Sequence, residues 1–352
     1  MTAPVNPFVL PCVALVLSGL LPGCSSRLSP NVAAHVGEVS AQRLRGHVEA
    51  LTRIGSAIEI RREASGRRIA PRNADSQAEK IAYLRSQLEP LGYTIEVEAF
   101  DLPPRFTPSR GYQGKNLIAT KRGTTQPEHV LELGAHHDTF GTPGADDNSS
   151  GVAGVLEVAR VLAAVPTAKT IRFCLFDFEE FGGLGSIEHV KRVKASAEKF
   201  EGILVFEMIG YAVSGENTQE TPLRIPGLVN PSRTGNFIAV LGDLRSGNLG
   251  AAFERAADRL NPRLPYFSLN RLGGFLKDAA RSDQSSYWEA SLPGVMITDT
   301  ANFRNPHYHK STDTIGTLNF EFMAQVVSAM TGCLLDRAGA ADAAEVRKPG
   351  TG

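Results

Sequence analysis

Cysteine is scarce in this 352-residue chain: of four, Cys12 and Cys24 fall in an N-terminal apolar stretch, leaving Cys174 and Cys333 beyond it. At most one disulfide is available, and no pair has the spacing of a zinc or redox motif. Cys174, inside the apolar run Thr170–Phe178, reads as a buried strand thiol. Any metal must therefore be held by histidine and carboxylate. An excess of charge of either sign is also lacking: 37 basic residues face 37 acidic ones, which argues against a nucleic-acid or polyanion partner. Hydrophobic residues make up 42% of the chain and charged residues 21%, an ordinary globular composition.

The first apolar run, Phe8 to Leu21, is short for a membrane span and closes with Leu21, Pro22, Gly23 and Cys24. It resembles a bacterial lipoprotein signal in which Cys24 is lipidated and becomes the new N-terminus. No Lys or Arg precedes the apolar core and Pro22 is unusual there, so an ordinary secretory signal is the alternative. The expected organisation is a signal segment at 1–23, a tether at 24–37, one domain at 38–338 with no linker or repeat, and a small, polar, disordered tail at 339–352. An exported product follows, either an envelope lipoprotein or a secreted protein, with membrane contact only through that N-terminal segment.

Periodicity supplies the elements. Leu44, Val48 and Leu51 share one face of an amphipathic helix. A charged loop with Arg61, Arg62, Arg67, Arg68 and Arg72 reads as a solvated face, because acids are interleaved and no aromatics accompany it. A helix from Ser76 to Leu88, a stop at Gly92 and strands at 94–100, 116–121 and 129–135 follow. Strands are then expected at 170–178, 202–209, 237–241 and 295–300, and helices at 186–197, 248–260 and 320–335. Near-continuous apolar strands alternating with amphipathic helices predict an α/β fold, a central mixed, mostly parallel sheet with helices on both faces.

The informative stretch is Val130 to Gly151. A hydrophobic strand ends in His136, His137 and Asp138, a Gly/Pro turn follows, then Asp146, Asp147 and Asn148, and a helix starts after Gly151. Loops beyond the carboxyl ends of strands are where α/β sheets bind ligands. Residues i and i+2 of a strand share a face, so Asp138 can lie beside His136 while His137 points away. Further strands end in Glu179 and Glu180, carry Glu207 as a sole charge, or lead into His307, Tyr308 and His309. A lone carboxylate inside LVFEMI costs several kcal/mol unless it is paired or binds a metal. These residues leave open whether Asp146 or Asp147, and His307 or His309, are the ligands.

Six ordered segments, GAHHD, PGADDNSSG, EEFGGLGS, FEMIGY, SDQSSYW and YHKSTDT, resemble the M28 family of zinc peptidases across residues 76 to 335. The resemblance implies a pair of Zn2+ ions per chain, a peptide substrate and hydrolysis of an N-terminal peptide bond. It implies His136 and Glu207 on one zinc, Glu180 and His309 on the other, and Asp147 bridging them. Asp138 then holds the His136 imidazole, Glu179 is the general base and Tyr308 stabilises the oxyanion. Many relatives have aspartate at the Glu207 position, and histidine often stands where Gln284 does, which puts Gln284 outside the metal ligands.

A glutaminyl cyclase with one zinc, a carboxypeptidase or dipeptidase, and a noncatalytic binding protein are the alternatives on this fold. His35, His47, His129 and His189 read as surface or edge residues, and Tyr287, Trp288 and Phe303 as core. Asp283 and Asp313 read as supporting or capping groups. The glycines after Glu180 lack the lysine of a phosphate loop.

Overall fold

The computed structural model describes residues 30–55, 58–63, 66–71, 74–103, 113–222, 224 and 230–340. The signal segment, Cys24 and most of the expected tail lie outside them. Helices α1 (Pro30–Val36) and α2 (Ala41–Ile54) come first. Ser40 caps α2 by accepting from the Arg43 amide, and the buried face is Leu44, Val48 and Leu51, as the periodicity predicts. The stretch read as a tether is in part folded: Val32 and Val36 of α1 join the main core.

The arginine-rich stretch read as a loop forms an antiparallel pair, β1 (Ile58–Glu63) with β2 (Gly66–Pro71), placing Arg61 opposite Arg68. Its strand period is hidden because only Ile58 and Ile60 alternate with charge, over too few residues to stand out from the arginine run. Helix α3 (Ala74–Leu88) follows, and Gly92, at φ 81°, makes the left-handed turn that ends this segment.

Then come β3 (Thr94–Asp101), β4 (Gln113–Lys121), β5 (Gln126–His136), α4 (Gly151–Leu162), β6 (Lys169–Phe176), α5 (Leu184–Ala195), β7 (Lys199–Glu207) and β8 (Ile238–Gly242). The chain closes with α6 (Gly247–Arg259), β9 (Tyr266–Leu269), α7 (Gln284–Glu289), β10 (Gly294–Thr298) and α8 (Phe320–Ala338). The predicted elements appear with ends displaced by a few residues. Short β9 and α7 were not expected: each has too few residues for its period to stand out. Gly339 caps α8 in a left-handed conformation, and Ala340, placed in the tail by composition, bridges to Thr167.

The last eight strands form one sheet in the order β3-β4-β6-β5-β7-β10-β8-β9. The β6/β5, β5/β7, β7/β10 and β8/β9 pairings are parallel, and β3/β4, β4/β6 and β10/β8 antiparallel, as expected of a mixed, mostly parallel sheet. Alternate residues point to opposite faces. Leu131, Leu133, Phe173, Leu175, Leu204 and Phe206 face the large core under α2, α4 and α8, whereas Cys174, Phe176, Ile203 and Val205 face the smaller core under α5 and α7. Each such buried Leu, Val or Phe stabilises the fold by about 1.5–3 kcal/mol. Gly154 lets α4 approach β7: a methyl group there would sit 2.9 Å from the Phe206 ring. Gly154→Leu would force that layer apart.

The connections place the site. From β5 the chain crosses through α4 to β6 on one side, then through α5 to β7 on the other. The carboxyl end of β5 is thus a point where strand order reverses, the crevice in which open α/β sheets bind ligands.

Candidate metal centre

His136 ends β5 and Glu207 ends the neighbouring parallel strand β7. Gly134 pairs with Val205, so two residues further along both strands His136 and Glu207 lie side by side on one face. His136 Nε2 is 3.3 Å from Glu207 and 3.4 Å from Asp147 Oδ1, yet among the described residues it makes no well-formed hydrogen bond. Nδ1 of the same ring is 3.4 Å from Asp138 Oδ1. His137 points away, its Nε2 3.0 Å from the Lys115 carbonyl.

Two buried aspartates set the loops by accepting pairs of successive backbone amides. Asp138 accepts from Glu179 and Glu180 at 3.0 and 3.2 Å, tying the end of β5 to the turn after β6. Asp313 accepts from Asp146 and Asp147 at 2.9 and 3.2 Å. Asp313 thereby aims Asp147 into the cleft, while Asp146 turns aside to accept from Gly210 N and Asn305 Nδ2. Of the two acids, Asp147 faces the cleft and Asp146 faces away from it. The loop stays in place because Asn148 donates to the Phe206 carbonyl and accepts from Met208 and Gly151 amides.

The Asp147 carboxylate faces two ways. Its Oδ1 is beside His136 and its Oδ2 is 3.1 Å from His309 Nε2, which is also 3.0 Å from Glu180. His307 and His309 do not share a direction, since their segment is a turn, with His309 at φ 55°. His307 instead meets Thr312. Glu179 approaches His136 at 3.9 Å. Tyr308 stacks on His309 and accepts from Arg281 at 3.1 Å.

The charge balance is uneven. Burial pushes Glu179 well above the ordinary carboxyl range, with Glu207 adding to it. Burial and then Asp147 push Glu180 to about 8, and burial pushes Asp283 to about 7. Burial would also raise Asp147, but His136 and His309 outweigh it and hold it near 2. The carboxylates outweigh burial at the imidazoles, lifting His136 well above its usual value and His309 to about 9. The cleft is short of positive charge.

Do these residues fit metal ions? Single donor atoms of His136, Asp147 and Glu207 lie within 4.8 Å of one another, as do those of Asp147, Glu180 and His309. Nitrogen and carboxylate oxygen donors, three to a set, suit zinc with an open position. Among the described residues, His136 Nε2, His309 Nε2 and Glu180 Oε1 are buried without a well-formed hydrogen bond, as unfilled ligand atoms should be. The donor set fits.

The model of peptidase family M28 matches residues 116–332, more than half of the chain. The chain belongs to peptidase family M28. Among relatives of this M28 protein is "Uncharacterized protein YfbL" of Escherichia coli K12, 32% identical over 273 residues, covering 74% of this chain and 82% of that one. "Leucine aminopeptidase 1" of Arthroderma otae is 27% identical over 238 residues, 63% of this chain; the match spans 58% of the fungal protein's length. Among solved structures, a zinc aminopeptidase from Bacillus subtilis superposes with TM-score 0.63 at 18% identity, covering 85% of this chain and 95% of that one. Porphyromonas gingivalis glutaminyl cyclase superposes with TM-score 0.62 at 18% identity, covering 85% and 99%. Both share the fold.

The structure corrects two residue readings. His189 is not at the surface but buried between Glu98 and Glu132. Phe303 lines an open cavity, whereas Tyr287 is core. Phe140, Arg281 and Ser282, which donates to Glu207 at 2.7 Å, went unnoticed; only an aromatic inside a Gly/Pro turn signalled the first.

Proposed function

We propose that this M28 hydrolase is an aminopeptidase that acts with a co-catalytic zinc pair. One observation carries the reading: the two oxygens of the single Asp147 carboxylate face two different histidines, each backed by its own glutamate. His136 and Glu207 would hold one zinc, Glu180 and His309 the other, and Asp147 both. When bound, such a pair polarises the scissile carbonyl and lowers the pKa of a water toward 7.

The chain's own groups divide the remaining work. Asp138 holds the His136 ring through Nδ1 and, through two amides, the turn that separates Glu180 from Glu179. Glu179 takes the proton of the attacking water and returns one to the leaving amine. The Tyr308 hydroxyl accepts from Arg281, which leaves its own proton free to point at the developing oxyanion.

Beside Glu207 and Tyr308 opens a cavity walled by Phe237, Leu241, Phe267, Leu269, Met296 and Phe303. It suits a bulky apolar side chain on the residue before the cleaved bond. The peptide substrate is thus held by apolar burial on one side of the ions.

Export through the first 23 residues, with lipidation at Cys24, belongs to the same proposal. Mass spectrometry of the mature N-terminus would show a diacylglyceryl Cys24; an uncleaved terminus removes it. No helix of the described residues is long and apolar enough to cross a membrane.

Turnover of a panel of aminoacyl fluorogenic substrates, with and without chelator, tests the proposal. Leucyl and phenylalanyl substrates are expected to be cleaved, and chelation to abolish cleavage until zinc is restored. Cleavage confined to N-blocked peptides, or cyclisation of an N-terminal Gln peptide without hydrolysis, would overturn it.

A further inference from the structure

The two histidines of the cleft are held by different means. His136 is fully buried at the end of a strand and fixed through Nδ1. His309 sits in a turn, 26% exposed, and its Nε2 meets the carboxylates of Asp147 and Glu180 at 3.1 and 3.0 Å. Those contacts aim one atom, and aromatic rings hold the ring's plane. Tyr308 lies 3.8 Å from it at 18° and Phe140 4.4 Å from it at 11°, centroid to centroid. Two rings so close and so nearly parallel to a third cannot occupy the same face, so the imidazole is sandwiched.

The sandwich is anchored. Phe140 stacks in turn on Phe181 at 6.3 Å and packs against the cluster of Phe100, Phe178 and Phe181. Phe181 directly follows Glu180, the carboxylate 3.0 Å from His309 Nε2. On the other side, Arg281 donates to the Tyr308 hydroxyl and to Asn302. The row Phe181, Phe140, His309, Tyr308 therefore links the turn bearing Glu180 to the turn bearing His309.

We propose that Phe140 is a positioning residue for the His309 half of the metal pair. With Tyr308 it fixes the imidazole plane, so that Nε2 stays aimed at Asp147 and Glu180. Parallel stacking constrains a ring's plane in a way that aliphatic packing does not. Asp147 and Glu180 set where Nε2 points, and the stack sets the plane of the ring about that direction. The proposal rests on the two-ion reading above.

Calorimetric titration of the metal-free protein with Zn2+ tests it. The wild type should take up two ions. Phe140→Ala should take up the first with wild-type affinity and the second about 10-fold or more weakly, the scale typical of lost support behind a ligand. Phe140→Leu, which keeps apolar volume without a ring, should behave like Phe140→Ala, and Phe140→Tyr should restore the second ion. His309→Ala marks complete loss of that ion. Wild-type titration of Phe140→Ala, rescue by Leu, or equal weakening of both ions would overturn the clamp while leaving the two-ion reading intact. A wild type that takes up fewer than two ions overturns both.

Discussion

Two buried clusters of histidine and glutamate lie on the same sheet and have opposite fates. In one, His136 and His309 meet Asp147, Glu180 and Glu207, and among the described residues neither imidazole Nε2 makes a well-formed hydrogen bond. In the other, His189 of α5 is held by Glu98 of β3 at 2.9 Å and Glu132 of β5 at 3.1 Å. Glu132 also accepts from Arg172 and Tyr287, and Glu98 from Asn116. Donor atoms of Glu132, Cys174 and His189 also lie within 4.8 Å of one another, like those of either candidate ligand set. Proximity of metal-binding residue types therefore does not define a metal centre. The partner balance does: the second cluster supplies its own cations and donors, whereas the first has more anions than its two imidazoles satisfy.

The largest effect expected on this contrast is at Glu179. Glu179→Gln keeps the shape and removes the proposed base, so turnover should fall about 10²- to 10⁴-fold with zinc content unchanged. Steady-state kinetics alongside metal analysis checks this. Near wild-type turnover would move the proton transfer elsewhere.

Next is His189→Ala. It leaves Glu98 and Glu132 buried without their shared cation and should cost about 3–5 kcal/mol of stability. Denaturant unfolding measures it, and the folded fraction should still bind the wild-type complement of zinc. If zinc is lost while stability holds, the two clusters have exchanged roles.

The same contrast decides what could be read in the amino-acid order. His136, Glu180 and Glu207 were legible because each follows or ends an apolar strand, and the topology brings parallel strand ends together. The choice of Asp147 over Asp146 was hidden, since it depends on Asp313, 166 residues away, accepting the Asp147 amide. His189 was misread for a similar reason: its partners come from 91 and 57 residues away, on strands whose faces are fixed only once α5 packs. The β1/β2 pair escaped because the alternation at Ile58 and Ile60 is too short to stand out from the arginine run around it. The cavity walls escaped because most come from loops and the short strand β9, whose course follows from tertiary packing.

A third test uses pH. Burial would lower His189, but Glu132 outweighs it and raises the imidazole well above 6.5, so its contribution is complete below that value and declines as pH rises toward the folded pKa. Glu132 is held at about 2 against an ordinary 4.5: burial opposes this, but His189 and Arg172 outweigh it. Its contribution is complete above 4.5 and is lost as pH falls toward about 2. The pair therefore stabilises most between about 4.5 and 6.5. Relative to His189→Gln, the wild-type advantage should shrink by about 1.4 kcal/mol per pH unit above 6.5. A constant difference across that range would show that His189 is neutral in the folded chain.

The smallest effect is expected at Cys174, and it separates the clusters most cleanly. Its sulfur is 3.8 Å from His189 Nε2, and burial pushes the thiol to about 12, so it stays protonated and serves as an apolar strand residue. A metal held there would need the thiolate, and would have to displace Arg172, which already occupies the Glu132 oxygen that His189 contacts. Cys174→Ala should therefore cost about 1 kcal/mol, remove no metal and leave turnover unchanged. Loss of one zinc equivalent in that variant would make the second cluster a metal site and reverse the contrast. Retention of every equivalent leaves the carboxylate excess around His136 and His309, absent around His189, as the feature that marks the proposed ligands.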